Sequence, residues 1–288
     1  MFARVWCALQ SSNGWKWQRP KLVMPGERRR RTLLLLLLAL PMLIFLVFPL
    51  VALLARIPLV SLFGNLGGAE VVQAIRLSLT TTAVSTGVAL LFGTPLAYLL
   101  ARRTFRGRNI IDTLLDLPMV LPPSVAGIAL LIAFGRRGLL GSTLEDLGLS
   151  IAFTQAAVVV AQVFVAAPFY IKAAIAGFAG VDRDLEQAAS IDGAHAGQIL
   201  RHITVPLAWP VLFGGAVMTW ARALGEFGAT IIFAGNFPGR TQTMPLAIYI
   251  GFELDLNVAL TLSVILLVTS FLVLFVVKGV LRQRFHVM

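Results

Sequence analysis

The chain has 288 residues, 58% of them hydrophobic and 13% charged, with a mean hydropathy of +0.87; a soluble globular domain carries roughly 25% charged residues, so an ordinary soluble enzyme is excluded and a membrane protein is indicated. The net charge of +11 comes from short basic clusters between apolar runs, not from a basic face, which argues against nucleic acid as a partner. The single Cys7 excludes an intrachain disulfide or a cysteine cluster, and His195, His202 and His286 are too scattered to hold a metal.

Residues 1–31 form a basic tail with Trp6, Trp15 and Trp17 among its Lys and Arg residues. Tryptophan favours the headgroup region and basic residues attract anionic lipid. The tail either lies on the inner membrane surface, with lipid as its partner, or is a disordered extension whose charges only set topology. Arg28 to Arg31 precede an apolar run from Thr32 to Ala55, too long for a signal peptide and long enough to cross a hydrocarbon core of roughly 30 Å. It reads as a retained helix. The same length criterion predicts spans at Leu77–Ala101, Leu117–Phe134, Ile151–Ile171, Leu207–Phe233 and Val258–Val277. The expectation is an all-α membrane protein with six transmembrane helices in a domain over 32–280, followed by a C-tail, 281–288.

Lys and Arg are retained on the cytoplasmic side of short loops. Eighteen fall in the N-terminal tail, the second and fourth loops and the C-tail, against five in the remaining loops, while Arg222 lies inside a span. Both termini are therefore expected in the cytoplasm.

Polar residues inside spans are costly and hence informative. Arg222 and Glu226 are four apart and share one helix face, about 22 Å past the cytoplasmic start of the fifth span. They either neutralise each other between helices or Arg222 lends positive potential to an anion path. Gly214, Gly215, Gly225 and Gly228 allow close helix approach around them. Gln155 and Gln162 make one stripe of the fourth span, and Ser78, Thr80, Thr81, Thr82, Ser85 and Thr86 crowd the second; they serve interhelical hydrogen bonds or line a pore. The third span opens with Pro118, Pro122 and Pro123, which must break or kink it. Broken backbone at membrane depth has to face protein or water, so the segment from Asp116 to Gly127, Ser124 included, is either a gate or a kinked packing helix.

No G-x-x-x-x-G-K-[ST], H-E-x-x-H or G-x-S-x-G run occurs. The loop 181–206 carries a stronger signal. Asp182, Asp184 and Glu186 suit a helix N-terminus, Ala188 and Ala189 favour helix, and Gly193 suits the left-handed position that ends one. A second helix is predicted from Ala194 to Ile203, stopping before Pro206.

Gln187-Ala188-Ala189, three residues, Gly193, nine residues, then Ile203-Thr204-Val205-Pro206 resembles the E-A-A-x3-G-x9-I-x-L-P loop of binding-protein-dependent ABC importer permeases. Gln187 stands where the family has Glu and Val205 where it has Leu; Glu186 is a possible substitute for the missing charge. The strings Arg76 to Thr80, Asp116 to Pro123, Phe134 to Gly141, Gly225 to Thr230 and Pro238 to Leu246 are similar to the molybdate branch, whose close relatives are the sulfate permeases. The resemblance implies a type I ABC importer permease fold and a homodimer with the path between subunits. It implies cytoplasmic ATPase subunits that dock on Glu186, Gln187, Ala188, Ala189, Gly193, Ile203 and Pro206, and a periplasmic or surface-tethered oxyanion-binding protein. ATP then sits on the partner subunit, no cofactor or metal on this chain, and the chain is a transport subunit, not an enzyme. Its place is the bacterial or archaeal cytoplasmic (inner) membrane, crossed several times. Molybdate is the expected cargo, moved by alternating access; sulfate, thiosulfate or tungstate is the alternative. A stand-alone secondary transporter would need intramembrane carboxylates for a coupling ion, and Glu226 is already offered Arg222.

Overall fold

The computed structural model describes residues 25–285, so the expectations for the tail before Pro25 and for residues 286–288 lie outside the described residues. The chain divides into two units, residues 1–55 and 56–288. The described residues of the first belong to α1 (Pro25–Arg56), which starts before the expected Thr32 and carries Pro41 and Pro49 without interruption. Its apolar residues run around its whole circumference, as suits a helix in lipid.

The second unit follows the order α2 (Leu59–Leu66), α3 (Ala69–Arg102), α4 (Arg108–Val120), α5 (Pro123–Phe134), α6 (Gly141–Asp146), α7 (Gln155–Ala179), α8 (Arg183–Ile191) and α9 (Ala196–Ile199). One π-helical turn, Leu200–Thr204, leads into α10 (Val205–Leu224), then α11 (Gly228–Phe233), α12 (Met244–Leu254) and α13 (Leu256–Phe285). Among the described residues every element is helical. Five helices among the described residues are long and apolar enough to cross a membrane: Thr32–Arg56, Ala69–Arg102, Gln155–Ala179, Ala196–Leu224 and Leu256–Val277. A sixth crossing exists only if α4 and α5, bent by 115°, are counted together.

Helices α3, α7 and α10 pack on one another through small residues. Ala97, Ala174 and Ala208 are fully buried together, and a Cβ on Gly215 would lie 2.6 Å from that of Ala173. Lipid gives helices no hydrophobic reason to associate, so close packing and hydrogen bonds must hold them. Gln162 Nε2 donates to Thr81 Oγ1 at 3.2 Å, the Met244 N–H donates to Ser78 Oγ at 2.7 Å, and the Thr94 and Tyr170 hydroxyls meet at 2.6 Å. The second span's polar stripe thus serves interhelical bonding at Ser78 and Thr81, while Thr82 and Ser85 bond back to carbonyls of their own helix. Gln155 does not share the environment of Gln162: it is exposed at the start of α7.

Two predicted spans are corrected. The third does not start at Leu117: helix begins at Arg108, runs through Pro118 and stops at Val120. Leu121 and Pro122 each precede a proline, which disfavours helical backbone; both are extended, with ψ of 136° and 133°. The fifth is not one helix from Leu207 to Phe233. It continues from α9 below, ends at Leu224 with Gly225 as its cap, and resumes only at Gly228. The Gly225 and Glu226 N–H groups bond to the Ala221 and Ala223 carbonyls, tightening the last turn so that it cannot propagate.

Candidate functional site

Helix α8 begins at Asp182, whose Oδ1 accepts the Asp184 N–H at 3.0 Å, and Asp184 and Glu186 lie in its first turn, at the positive end of the helix dipole. It ends as expected at Gly193, with φ of +90°. The Gly193 N–H bonds to the Ser190 carbonyl at 3.1 Å and the Ala194 N–H to that of Ala189 at 3.0 Å, the pair of bonds that closes a helix through a left-handed residue. His195 then caps α9. Its Nδ1 accepts the Gln198 N–H at 3.3 Å while Gln198 Oε1 accepts the His195 N–H at 3.0 Å, a reciprocal cap that the sequence reading missed because no Ser or Thr announces it.

The second helix of the hairpin does not stop before Pro206. The π turn carries the chain through Ile203 and Thr204, with the Val205 N–H bonded five residues back to the Leu200 carbonyl, and Pro206 enters the first turn of α10. A proline ring clashes with the carbonyl four residues before it, and a widened turn at that place relieves the clash.

The hairpin is rooted at one residue. Glu186 Oε1 accepts from Arg102 Nη2 at 2.7 Å and from Thr204 Oγ1 at 2.6 Å, and the same Arg102 nitrogen donates to the Val181 carbonyl at 3.2 Å. The Arg102 side chain is 7% exposed and that of Glu186 16%. Glu186 is therefore turned into the protein and does not replace, at the surface, the charge absent from Gln187. Gln187 and Ala188 face outward with Leu185 and Ile191, and Ala189 is half-buried. At the same end Lys172 on α7 pairs with Asp112 and Asp116 of α4 at 2.8 and 2.9 Å. Sequence reading counted Arg102 and Lys172 only as topology signals.

The candidate gate residues divide. Pro118 sits half-buried inside α4, apart from the break, and Pro122 caps α5. Pro123 and Ser124 lie against the other interruption: a Cβ on Gly228 would fall 2.6 Å from Pro123 Cβ and 3.5 Å from the Ser124 nitrogen. A Cβ on Gly127 would likewise lie 2.9 Å from the Ala229 carbonyl, so α5 and α11 are in backbone contact. Glu226, 1% exposed, stands in the gap between α10 and α11 instead of on a continuous helix face with Arg222. The pair forms nonetheless: Arg222 Nη1 donates to Glu226 Oε2 at 2.8 Å, and Glu226 Oε1 accepts the Ala229 N–H at 2.9 Å. Arg222 keeps 31% of its side chain exposed.

Comparison with known proteins agrees with this architecture. The molybdenum transport system permease protein ModB of Mycobacterium tuberculosis is 42% identical over 231 residues, covering 80% of this chain and 88% of the relative. ModB of Escherichia coli is 43% identical over 178 residues, covering 62% and 78%. The sulfate transport system permease protein CysW of Synechococcus elongatus is 36% identical over 226 residues, covering 76% and 77%. Among solved structures, a bacterial ABC transporter involved in alginate import superposes with a TM-score of 0.69 at 17% identity, covering 90% of this chain and 98% of that one. The MetNI methionine ABC transporter in an inward-facing conformation gives 0.57 at 22%, covering 74% and 95%. These two show the fold, a type I ABC importer permease fold. Residues 93–287 match the family described as binding-protein-dependent transport system inner membrane component, and to that family of membrane transport subunits the chain belongs.

Proposed function

We propose that this chain is the membrane-spanning subunit of an ATP-driven importer of a tetrahedral oxyanion, with molybdate as the cargo. The observation that carries the choice of cargo is that the two molybdenum permeases match at higher identity than the sulfate permease does. Two copies enclose the path, both termini lie in the cytoplasm as the Lys/Arg distribution requires, and the protein resides in the cytoplasmic membrane. An oxyanion-binding protein delivers the cargo from outside, and ATP binds and is hydrolysed on a separate subunit.

The hairpin formed by α8 and α9 is the contact with that ATPase. Gln187 and Ala188 meet the partner, Ala189 permits close seating, and Gly193 sets the turn. Because Glu186 binds both Arg102 at the end of α3 and Thr204 at the root of α10, a force on the hairpin is transmitted to two spans at once. Closure of the ATPase dimer then turns the path outward, and the binding protein releases its anion. Pro122, Pro123, Ser124, Arg222 and Glu226 lie at the junction that bends.

Reconstitution of the chain with its neighbouring ATPase and binding protein tests this reading. Labelled molybdate uptake that requires ATP, and that excess unlabelled molybdate suppresses far better than sulfate, is the expected result. Preferential suppression by sulfate would reassign the cargo, and uptake without an ATPase would overturn the importer reading.

A further inference from the structure

At the end of the unit remote from the hairpin, Gln73, Arg76 and Leu77 of α3, Gln155 of α7 and Gly239 of the connection between α11 and α12 line a cleft of about 340 Å³. Arg76 lies about 39 Å along α3 from Arg102 at 1.5 Å per residue. The lining contains one guanidinium and two carboxamides but no carboxylate. Among the described residues none of these three side chains has a hydrogen-bond or ion-pair partner. Leu77, buried, is the apolar member of the lining. Gly239 has φ of +71°, a left-handed conformation that favours glycine, and a Cβ there would stand 3.0 Å from the movable end of the Gln73 side chain.

We propose that this cleft is a transient binding site for a tetrahedral oxyanion dianion at the outer mouth of the permease. The inference rests on the reading of the chain as an oxyanion importer. A guanidinium presents two parallel N–H donors to two oxygens of such an anion, and the Gln73 and Gln155 amides supply donors for the others. Three donors with no internal partner are free to be satisfied by an arriving ligand, and the absence of a carboxylate leaves the local field positive. The cleft is open to solvent, so the anion is held weakly, which suits a step that must pass its cargo on.

The test uses the whole transporter, with ATPase and binding protein, in proteoliposomes supplied with labelled molybdate. Arg76→Gln is expected to lower the maximal uptake rate about tenfold, the loss of one charge-assisted contact. The maximal ATPase stimulation by binding protein, and the concentration that gives half of it, should both stay unchanged, so fewer anions enter per ATP. Gln155→Glu, which places a carboxylate in the cleft and leaves Arg76 in position, should act in the same direction and serves if Arg76→Gln does not assemble. Unchanged uptake in both variants overturns the site. So does a raised half-maximal binding-protein concentration with normal maximal uptake, which would make Arg76 a docking contact for the binding protein. If the unaltered transporter moves neither molybdate nor sulfate, the importer reading itself fails; an active unaltered transporter with insensitive variants removes the cleft alone.

Discussion

Replacing Arg222 by Met measures what the buried carboxylate beside it requires. Glu226 is 1% exposed, and its two oxygens have one partner each, Arg222 Nη1 at 2.8 Å and the Ala229 N–H at 2.9 Å. Arg222→Met removes only the charged partner, and breaking a buried pair in this way costs about 3–5 kcal/mol. Glu226→Leu is milder, because Arg222 keeps 31% of its side chain exposed and can turn its charge outward. It still orphans the Ala229 N–H, which costs about 1–3 kcal/mol. The double change Arg222→Met with Glu226→Gln removes both charges and keeps a carbonyl oxygen for Ala229, so the loss should shrink to about 1 kcal/mol. Thermal unfolding and yield of the detergent-extracted transporter should therefore rank the double variant nearest the unaltered protein and Arg222→Met lowest. An Arg222→Met protein as stable as the original, or a double variant less stable than it, would refute the reasoning. Reconstituted uptake then separates the two roles open from the sequence. Recovery of stability and uptake together makes the pair structural, and recovery of stability alone assigns the Arg222 charge to the path.

Gly193→Val should insert normally into membranes but lose ATP-dependent uptake and bind the ATPase weakly, since a β-branched residue at φ of +90° carries about 1–3 kcal/mol of strain; Gly193→Asn, whose side chain tolerates that conformation, should keep most uptake. Arg102→Met should leave Glu186 as an unpaired, mostly buried charge and abolish coupled uptake, whereas Arg103→Met, at an exposed neighbour, should transport normally. Equal uptake by the two would remove Arg102 from the root of the hairpin. Gln187→Glu, at an exposed position, should fold with a stability change within about 0.5 kcal/mol and retain uptake; a severe loss of transport would show that the partner ATPase is matched to glutamine.

What was legible in the sequence was local. Asp182 and Gly193 declare the ends of α8 because capping involves groups within a few residues of each other. The Pro122-Pro123 pair likewise declares a break, though nothing in it sets an angle of 115°. The partners of Glu186 were not legible: Arg102 is 84 residues away and its role depends on α3 reaching the hairpin. A hydropathy window sums apolar character and does not see a helix cap, so the sequence offers Gly225 as a packing residue and a span running through it to Phe233, where the structure has a helix end. Pro206 reads as a stop because a regular helix cannot admit its ring, and the π turn that makes room for it leaves no compositional mark.

The two interruptions of the bundle are related by the way each deals with unpaired backbone. In lipid an unsatisfied N–H costs several kcal/mol, so helix ends at membrane depth are tolerated only with substitutes. At the first break Pro122 and Pro123 remove the donors outright, and the Pro122 carbonyl accepts from the Val125 and Ala126 N–H groups at 2.9 and 3.1 Å. At the second, Glu226 provides the acceptor that Ala229 lacks, and Arg222 neutralises the charge this brings in. Among the described residues no hydrogen bond joins the two breaks; they meet where the apolar Pro123 ring packs on the backbone of Gly228. An apolar contact resists sliding far less than a set of directional bonds does, because no bond must be broken before another forms. In the proposed transport cycle this makes the junction of α5 and α11 the place where the path can open and close, while the bonded root at Glu186 stays fixed and carries the force.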